Sequence, residues 1–203
     1  MLPLAARCRA VEGGGARPDH MQVSAVDIPE VRLLSPRRFE DARGFFSETW
    51  SRRRLREQGI DLDFVQDNHS LSREVGTVRG LHYQIHPFAQ SKLVRVTRGA
   101  ILDVAVDLRR GSPTFGRHVS AIISAEEWNQ FLVPVGFAHG FCTLEPDTEV
   151  IYKVDNDYAP ECDRGLRWND PALGIAWPVE EARATLSAKD RQHPLLHELK
   201  DLF

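Results

Sequence analysis

Ser91-Lys92-Leu93-Val94-Arg95-Val96-Thr97-Arg98-Gly99-Ala100-Ile101-Leu102-Asp103-Val104-Ala105-Val106-Asp107 is the stretch on which the fold turns. It is rich in Val, Ile and Leu, and Gly99 breaks it into two runs of strand length. The same grammar continues on both sides. Residues 77–84, 118–124, 129–133, 140–144 and 149–154 are further short runs. Gly111-Ser112-Pro113, Pro134-Val135-Gly136 and Glu145-Pro146-Asp147 punctuate them with turn residues. Short strands at this spacing predict an antiparallel sandwich or barrel, of which the jelly roll is one form.

Toward the N-terminus the pattern weakens but persists. Residues 31–34, 45–50 and 64–70 read as strands, the last with a polar second half. Residues 52–58 lack helix breakers and precede Gly59, which predicts a short helix with its stop. A second short helix is expected near residues 195–200. No repeat or interdomain linker is visible, so residues 21–203 read as one domain. Residues 1–20 carry a Gly-Gly-Gly run and no period, and read as a disordered extension. Their apolar run from Leu2 to Ala6 is too short for a signal peptide, and Met21 is an alternative start.

Composition narrows the function classes. Of 203 residues, 42% are hydrophobic and 27% charged, an ordinary globular balance. The net charge of −3 gives no broad basic field for nucleic acid, so an anionic ligand must be held by local Arg and Lys. No apolar run approaches the roughly 20 residues that span a bilayer. Cys8, Cys142 and Cys162 are too few and too scattered for a disulfide framework or a thiolate zinc site, which fits a reducing cytoplasm.

Histidines are the first candidates for chemistry. His82 and His139 sit in Arg79-Gly80-Leu81-His82-Tyr83-Gln84 and Gly136-Phe137-Ala138-His139-Gly140-Phe141, each among apolar and small residues. One such histidine is most often a core or strand-edge residue with its polar atoms satisfied. Two in matching contexts point to a shared cavity. Metal binding would call for a tight His-x-His pair with a nearby Glu, which is missing after His82. Acid–base chemistry needs a histidine near its neutral pKa and an orienting carboxylate. Asp103 and Asp107 are rival candidates for that carboxylate. Arg43, Arg79, Lys92 and Lys189 lie beside patterned segments and are candidates to hold a diphosphate. Gln66-Asp67-Asn68 offers amide and carboxylate groups to a base or sugar edge, or else a polar strand end.

Nine segments in order carry a resemblance: Arg43-Gly44-Phe45-Phe46, Phe64-Val65-Gln66-Asp67-Asn68-His69-Ser70, the His82 segment, Lys92-Leu93-Val94-Arg95, Gly111-Ser112-Pro113-Thr114-Phe115-Gly116, the His139 segment, Tyr152-Lys153, Tyr158-Ala159-Pro160 and Leu186-Ser187-Ala188-Lys189-Asp190. Together they closely resemble the dTDP-4-dehydrorhamnose 3,5-epimerase family, from about Val23 to Leu196. The resemblance implies an all-β, antiparallel, cupin-like jelly-roll barrel with short peripheral helices. It also implies a homodimer whose subunits exchange strand contacts, with no metal and no redox cofactor. The implied substrate is a dTDP-4-keto-6-deoxy sugar, with no nucleic-acid or membrane partner.

The resemblance implies roles by position. His82 matches the general base, Asp190 its carboxylate partner, Tyr152 the acid on the other sugar face and Lys92 the group near the keto oxygen. Arg43, Glu48, Gln66, Asp67, Asn68, Arg79, His139, Asp163 and Lys189 match nucleotide, phosphate or sugar contacts. Asp163 stands where the family commonly has Glu, and His86 where Pro is common. The expected reaction removes the proton beside the C4 ketone at C3 and C5 and returns it from the opposite face. Three alternatives remain open at this stage. One is a mono-epimerase acting at C3 or C5 only. The second is a metal-dependent cupin using His82, His139 and a carboxylate. The third is a non-catalytic nucleotide or sugar module of the same fold.

Overall fold

The computed structural model describes residues 21–203. The expected extension over residues 1–20 lies outside the described residues. Among the described residues, thirteen strands run in chain order: β1 (Met21–Ala25), β2 (Arg32–Pro36), β3 (Phe39–Asp41), β4 (Gly44–Phe46), β5 (Gln66–Ser72), β6 (Val78–Gln84), β7 (Lys92–Arg98), β8 (Ala100–Asp107), β9 (His118–Ser124), β10 (Gln130–Val133), β11 (Phe137–Thr143), β12 (Thr148–Val154) and β13 (Asp163–Gly165). One sheet has the order β1-β2-β10-β7-β12-β5 and the other β13-β6-β11-β8-β9. All the pairings within them are antiparallel. The two sheets form the cupin-like jelly roll, and β3 and β4 form a separate hairpin.

The stretch quoted first becomes β7 and β8, placed in different sheets by the turn at Gly99. Successive side chains of a strand face opposite ways. Ile101 and Ala105 of β8 therefore face the other sheet and join Val94, Val96, Phe131, Phe137, Phe141 and Val150 in the main core. Val104 and Val106 face outward against Leu81, Ala138, Leu166 and the C-terminal Leu196, Leu199, Leu202 and Phe203. Both faces of β8 are covered, which is why it reads as an almost unbroken apolar run.

Several expected bounds shift. Residues 45–50 are extended only as far as Phe46. Beyond it, Ser47 Oγ accepts from Trp128 Nε1 and the Thr49 carbonyl from Gln130 Nε2, so side chains replace a strand partner. The strand expected at residues 140–144 begins at Phe137, which pairs with Asp107 directly after the Gly136 turn. Strands β1, β3 and β13 carry too little apolar pattern to be read from sequence. The helix expected over residues 52–58 is α1 (Arg52–Glu57), and the C-terminal one shrinks to a single 3-10 turn, Leu196–Glu198. Among the described residues, no helix is long and apolar enough to cross a membrane.

Candidate active site

The inner faces of the two sheets are apolar at one end and polar at the other, along the same strands. On β12, Val150 lies in the core, and the next inward residue, Tyr152, lines a cleft. On β7, Val94 is core and Lys92 lines the cleft. The cleft holds about 330 Å³. From the six-stranded sheet it receives Gln66, Asn68, Ser70, Lys92 and Tyr152. From the other sheet come Arg79, His82, His139 and Phe141.

Arg79 and His82 sit three residues apart on β6, so plain alternation would point them to opposite faces. Both line the cleft because β6 carries a bulge. His139 pairs with His82, but Phe141, two residues on, pairs with Arg79, three residues back. An extra residue of this kind re-aims a side chain. Gly80 makes the bulge possible: its φ is +127°, and a Cβ there would fall 2.6 Å from Gly140 Cα and 2.8 Å from the His139 carbonyl oxygen. Arg79 is then steadied on the opposite sheet, its Nε donating to Ser72 Oγ at 3.1 Å and its Nη2 to the Leu71 carbonyl at 3.1 Å.

His82 has a defined partner. Its Nε2 donates to Asp190 Oδ1 at 2.6 Å. Asp190 opens a 3-10 turn, and its own N–H donates to Ser187 Oγ. Burial pushes the Asp190 carboxyl up, but the imidazoles of His193 and His82 outweigh it and hold the group below the usual carboxylate range. Asp190 is therefore ionised, and it fixes the His82 proton on Nε2. Burial lowers the His82 pKa despite the pull of Asp190, so the imidazole is neutral near pH 7 with a free lone pair on Nδ1. The rival carboxylates are engaged elsewhere. Asp103 accepts from His139 Nε2 at 2.6 Å in a fully buried pair, and Asp107 holds Arg109.

Lys92 is buried, and its Nζ donates to the His82 carbonyl at 3.3 Å. Burial brings its pKa down to about 8. Burial likewise raises the Tyr152 phenol above its ordinary value, so it keeps its proton. At the rim, Asp163 accepts from Tyr158 Oη at 3.1 Å and is also bonded by Lys189. The short aspartate arm thus reaches both neighbours.

Ten of the thirteen residues singled out from the sequence line this cleft: His82, Tyr152, Asp190, Lys92, Gln66, Asn68, Arg79, His139, Asp163 and Lys189. Three do not line it. Asp67 alternates away from Gln66 and Asn68 on β5 and binds Lys153 on the outer face. Arg43 is on the exposed hairpin, paired to Asp41, and Glu48 is paired to Arg54. Gln84, Phe141, Tyr158 and Ser187 line the cleft without having been singled out, although each falls inside a quoted segment. Gln90 also lines it and falls outside every quoted segment.

A neutral histidine on one sheet held by an ionised aspartate, a protonated tyrosine on the other sheet and a buried lysine beside them define an acid–base enzyme on a cupin-like jelly roll. Comparisons with known proteins make the class specific. The family model described as dTDP-4-dehydrorhamnose 3,5-epimerase matches residues 25–198. A protein of that name from Sinorhizobium fredii is 54% identical over 190 residues, 94% of this chain and 97% of its own. The crystal structure of a Bacillus anthracis dTDP-4-dehydrorhamnose 3,5-epimerase with TDP and PPi bound superposes with a TM-score of 0.83 at 51% identity, covering 86% of this chain and 99% of that one. A Legionella pneumophila dTDP-6-deoxy-D-glucose-3,5-epimerase in complex with dTDP-4-keto-L-rhamnose gives a TM-score of 0.85 at 43% identity, covering 89% and 95%. This chain belongs to the dTDP-4-dehydrorhamnose 3,5-epimerase family.

Proposed function

We propose that this protein inverts C3 and C5 of dTDP-4-dehydro-6-deoxy-D-glucose to give dTDP-4-dehydro-L-rhamnose. One observation carries the reading: His82 and Tyr152 stand on opposite sheets and line the same cleft. A sugar ring lying between the sheets presents one face to each. His82 Nδ1 takes the proton beside the C4 ketone from one face, and Tyr152 returns a proton from the other.

The uphill step sets the demands on the rest of the site. A proton beside a ketone is roughly a dozen pKa units less acidic than imidazolium, which is about 16 kcal/mol at 1.36 per unit. Ionised Asp190 stabilises the imidazolium as it forms. Charge appears on the sugar O4, and the Lys92 ammonium, held in a poorly solvated site, is the donor for it. Arg79 and Lys189 suit the diphosphate, with Gln66 and Asn68 reading neutral edges. Asp163 positions Lys189. His139, fixed by Asp103, borders the sugar.

Arg43 and Glu48 enter the reading through a homodimer. On the hairpin that carries Arg43, Phe45 stands edge-on to Trp128 with ring centroids 4.8 Å apart. Phe46 remains 70% exposed. An arm of this kind suits the exchange of contacts between two copies, each presenting Arg43 and Glu48 to its partner's cleft. A dimer mass in light scattering that falls to a monomer mass in Phe46→Asp is the expected outcome.

The defining experiment is proton NMR of the dTDP-4-keto sugar in D2O, followed with time. Deuterium should enter at both C3 and C5, and His82→Ala should abolish it at both. Uptake at one carbon alone would make the protein a mono-epimerase, and no uptake by folded protein would refute the reaction.

A further inference from the structure

Beside the His–Asp pair lies a buried group that takes or gives no proton in the reaction above. His193 follows the turn that carries Asp190, and its side chain is only 8% exposed. Its Nε2 sits 3.3 Å from Asp190 Oδ1, yet among the described residues it makes no hydrogen bond. Its ring stands edge-on to that of His82, with centroids 5.4 Å apart. The ring is seated deliberately. It lies on β13 at Gly165, where a Cβ would fall 2.1 Å from the imidazole. Arg167 fixes the chain around it, donating from Nε to the His193 carbonyl and from its backbone N–H to that of Pro194. A buried nitrogen left with this one long contact to an ionised carboxylate is placed to share a cation with it.

We propose that His82 Nε2, Asp190 Oδ1 and His193 Nε2 form a Zn²⁺ site that switches the enzyme off. The three atoms lie within 4.8 Å of one another. Two imidazole nitrogens and one carboxylate oxygen with an open fourth position are a zinc donor set. Bonds of about 2.0–2.1 Å place neighbouring tetrahedral ligands about 3.4 Å apart. The His193–Asp190 separation already meets this at 3.3 Å. His82 must draw back from its 2.6 Å contact, and its side chain, 33% exposed to the cleft, has room to turn. The fourth position then faces the cleft. Asp190 supplies one negative charge and the Lys92 ammonium nearby opposes the cation, so binding is reversible and falls short of a structural zinc site.

Inhibition follows from the tautomer, and it rests on His82 being the base. Without metal, the neutral imidazole keeps its proton on Nε2 and its lone pair on Nδ1. Zinc takes the position on Nε2 that the proton held, and the single proton moves to Nδ1. His82 gains and loses no proton overall, but the nitrogen facing the sugar can no longer accept one.

The test is calorimetric titration of the metal-free protein with ZnCl₂, paired with the D2O exchange assay in the same buffer. One saturable site should appear, with exchange falling as it fills and returning with EDTA. His193→Ala removes one of the groups that lower the Asp190 pKa but leaves those from His82 and Ser187, so exchange in zinc-free buffer should fall but stay measurable. Zinc should bind at least roughly tenfold more weakly, and the inhibition curve, taken relative to that rate, should shift equally. His193→Gln serves as the second variant if the alanine protein does not fold. MgCl₂ should have no effect, since hard oxygen-seeking cations do not favour this donor set. Absence of saturable zinc binding, or affinity unchanged in both His193 variants, would overturn the site. Binding that depends on His193 in a protein with no exchange activity even without zinc would instead overturn the epimerase reading and the switch together.

Discussion

Replacing Lys92 with methionine should make the protein more stable and less active at once. The ammonium is buried, and burial brings its pKa from 10.5 to about 8 against the pull of Asp163 and Asp103. At 1.36 kcal/mol per unit, holding the charge costs the folded state about 3 kcal/mol wherever Lys92 is protonated in both states, below pH 8. Between pH 8 and 10.5 the unfolded chain binds more protons than the folded one, so this cost shrinks as pH rises and is gone above 10.5. Methionine has nearly the same volume and no charge. It forfeits the bond to the His82 carbonyl, about 1 kcal/mol. The net expectation is about 2 kcal/mol of added stability at pH 7, falling below about 1 kcal/mol at pH 9.5. Deuterium exchange should drop by about 10²–10³, the usual loss for one donor to a developing oxyanion. Wild-type exchange should also decline above about pH 8 as Lys92 loses its proton, and the variant should lack that alkaline limb. Urea unfolding at the two pH values and NMR exchange across pH 6–9.5 measure both effects. A variant less stable than wild type at pH 7, or an alkaline limb unchanged by the substitution, would refute the assignment of a charged, poorly solvated lysine.

Asp190→Asn should leave the fold intact by circular dichroism but lower exchange at both carbons by about 10⁴-fold, because a neutral amide no longer fixes the His82 tautomer. Tyr152→Phe should retain proton abstraction and lose inversion. NMR should then show deuterium entering with the original configuration, and equal loss of both signals would remove its role as the acid. Gly80→Ala combines a φ of +127° with a Cβ 2.6 Å from Gly140 Cα. A loss of about 2–5 kcal/mol is expected, read as a fall in Tm of roughly 5–15 °C by calorimetry.

How far the sequence was legible depended on whether a signal was local. The runs that became β7 and β8 announced themselves, because both carry continuous Val, Ile and Leu bounded by Gly99. Strands β3 and β13 did not, being three residues long and polar or exposed. The inward set was legible where segments resembled a known family, yet the face of each residue was not. Gln66-Asp67-Asn68 looks like one recognition unit in sequence, but a strand can offer only its first and third members to one cleft. The partner of His82 was equally hidden. Asp103 and Asp107 are nearer in sequence, and pairing with Asp190 depends on the C-terminal segment folding back over β6. His193 offered no pattern at all, since its setting depends on Gly165 across a loop.

The bulge in β6 ties the site to a count of residues as well as to their kinds. With the extra residue, Arg79 and His82 share an inward face. A regular strand of the same length would keep them three apart and turn one of the pair toward the C-terminal covering segment, with every residue of the site unchanged. A substitution that the φ of +127° at Gly80 does not tolerate therefore threatens the shared facing of Arg79 and His82 as well as local stability, whereas deleting one residue between them would leave the pair two apart and on one face.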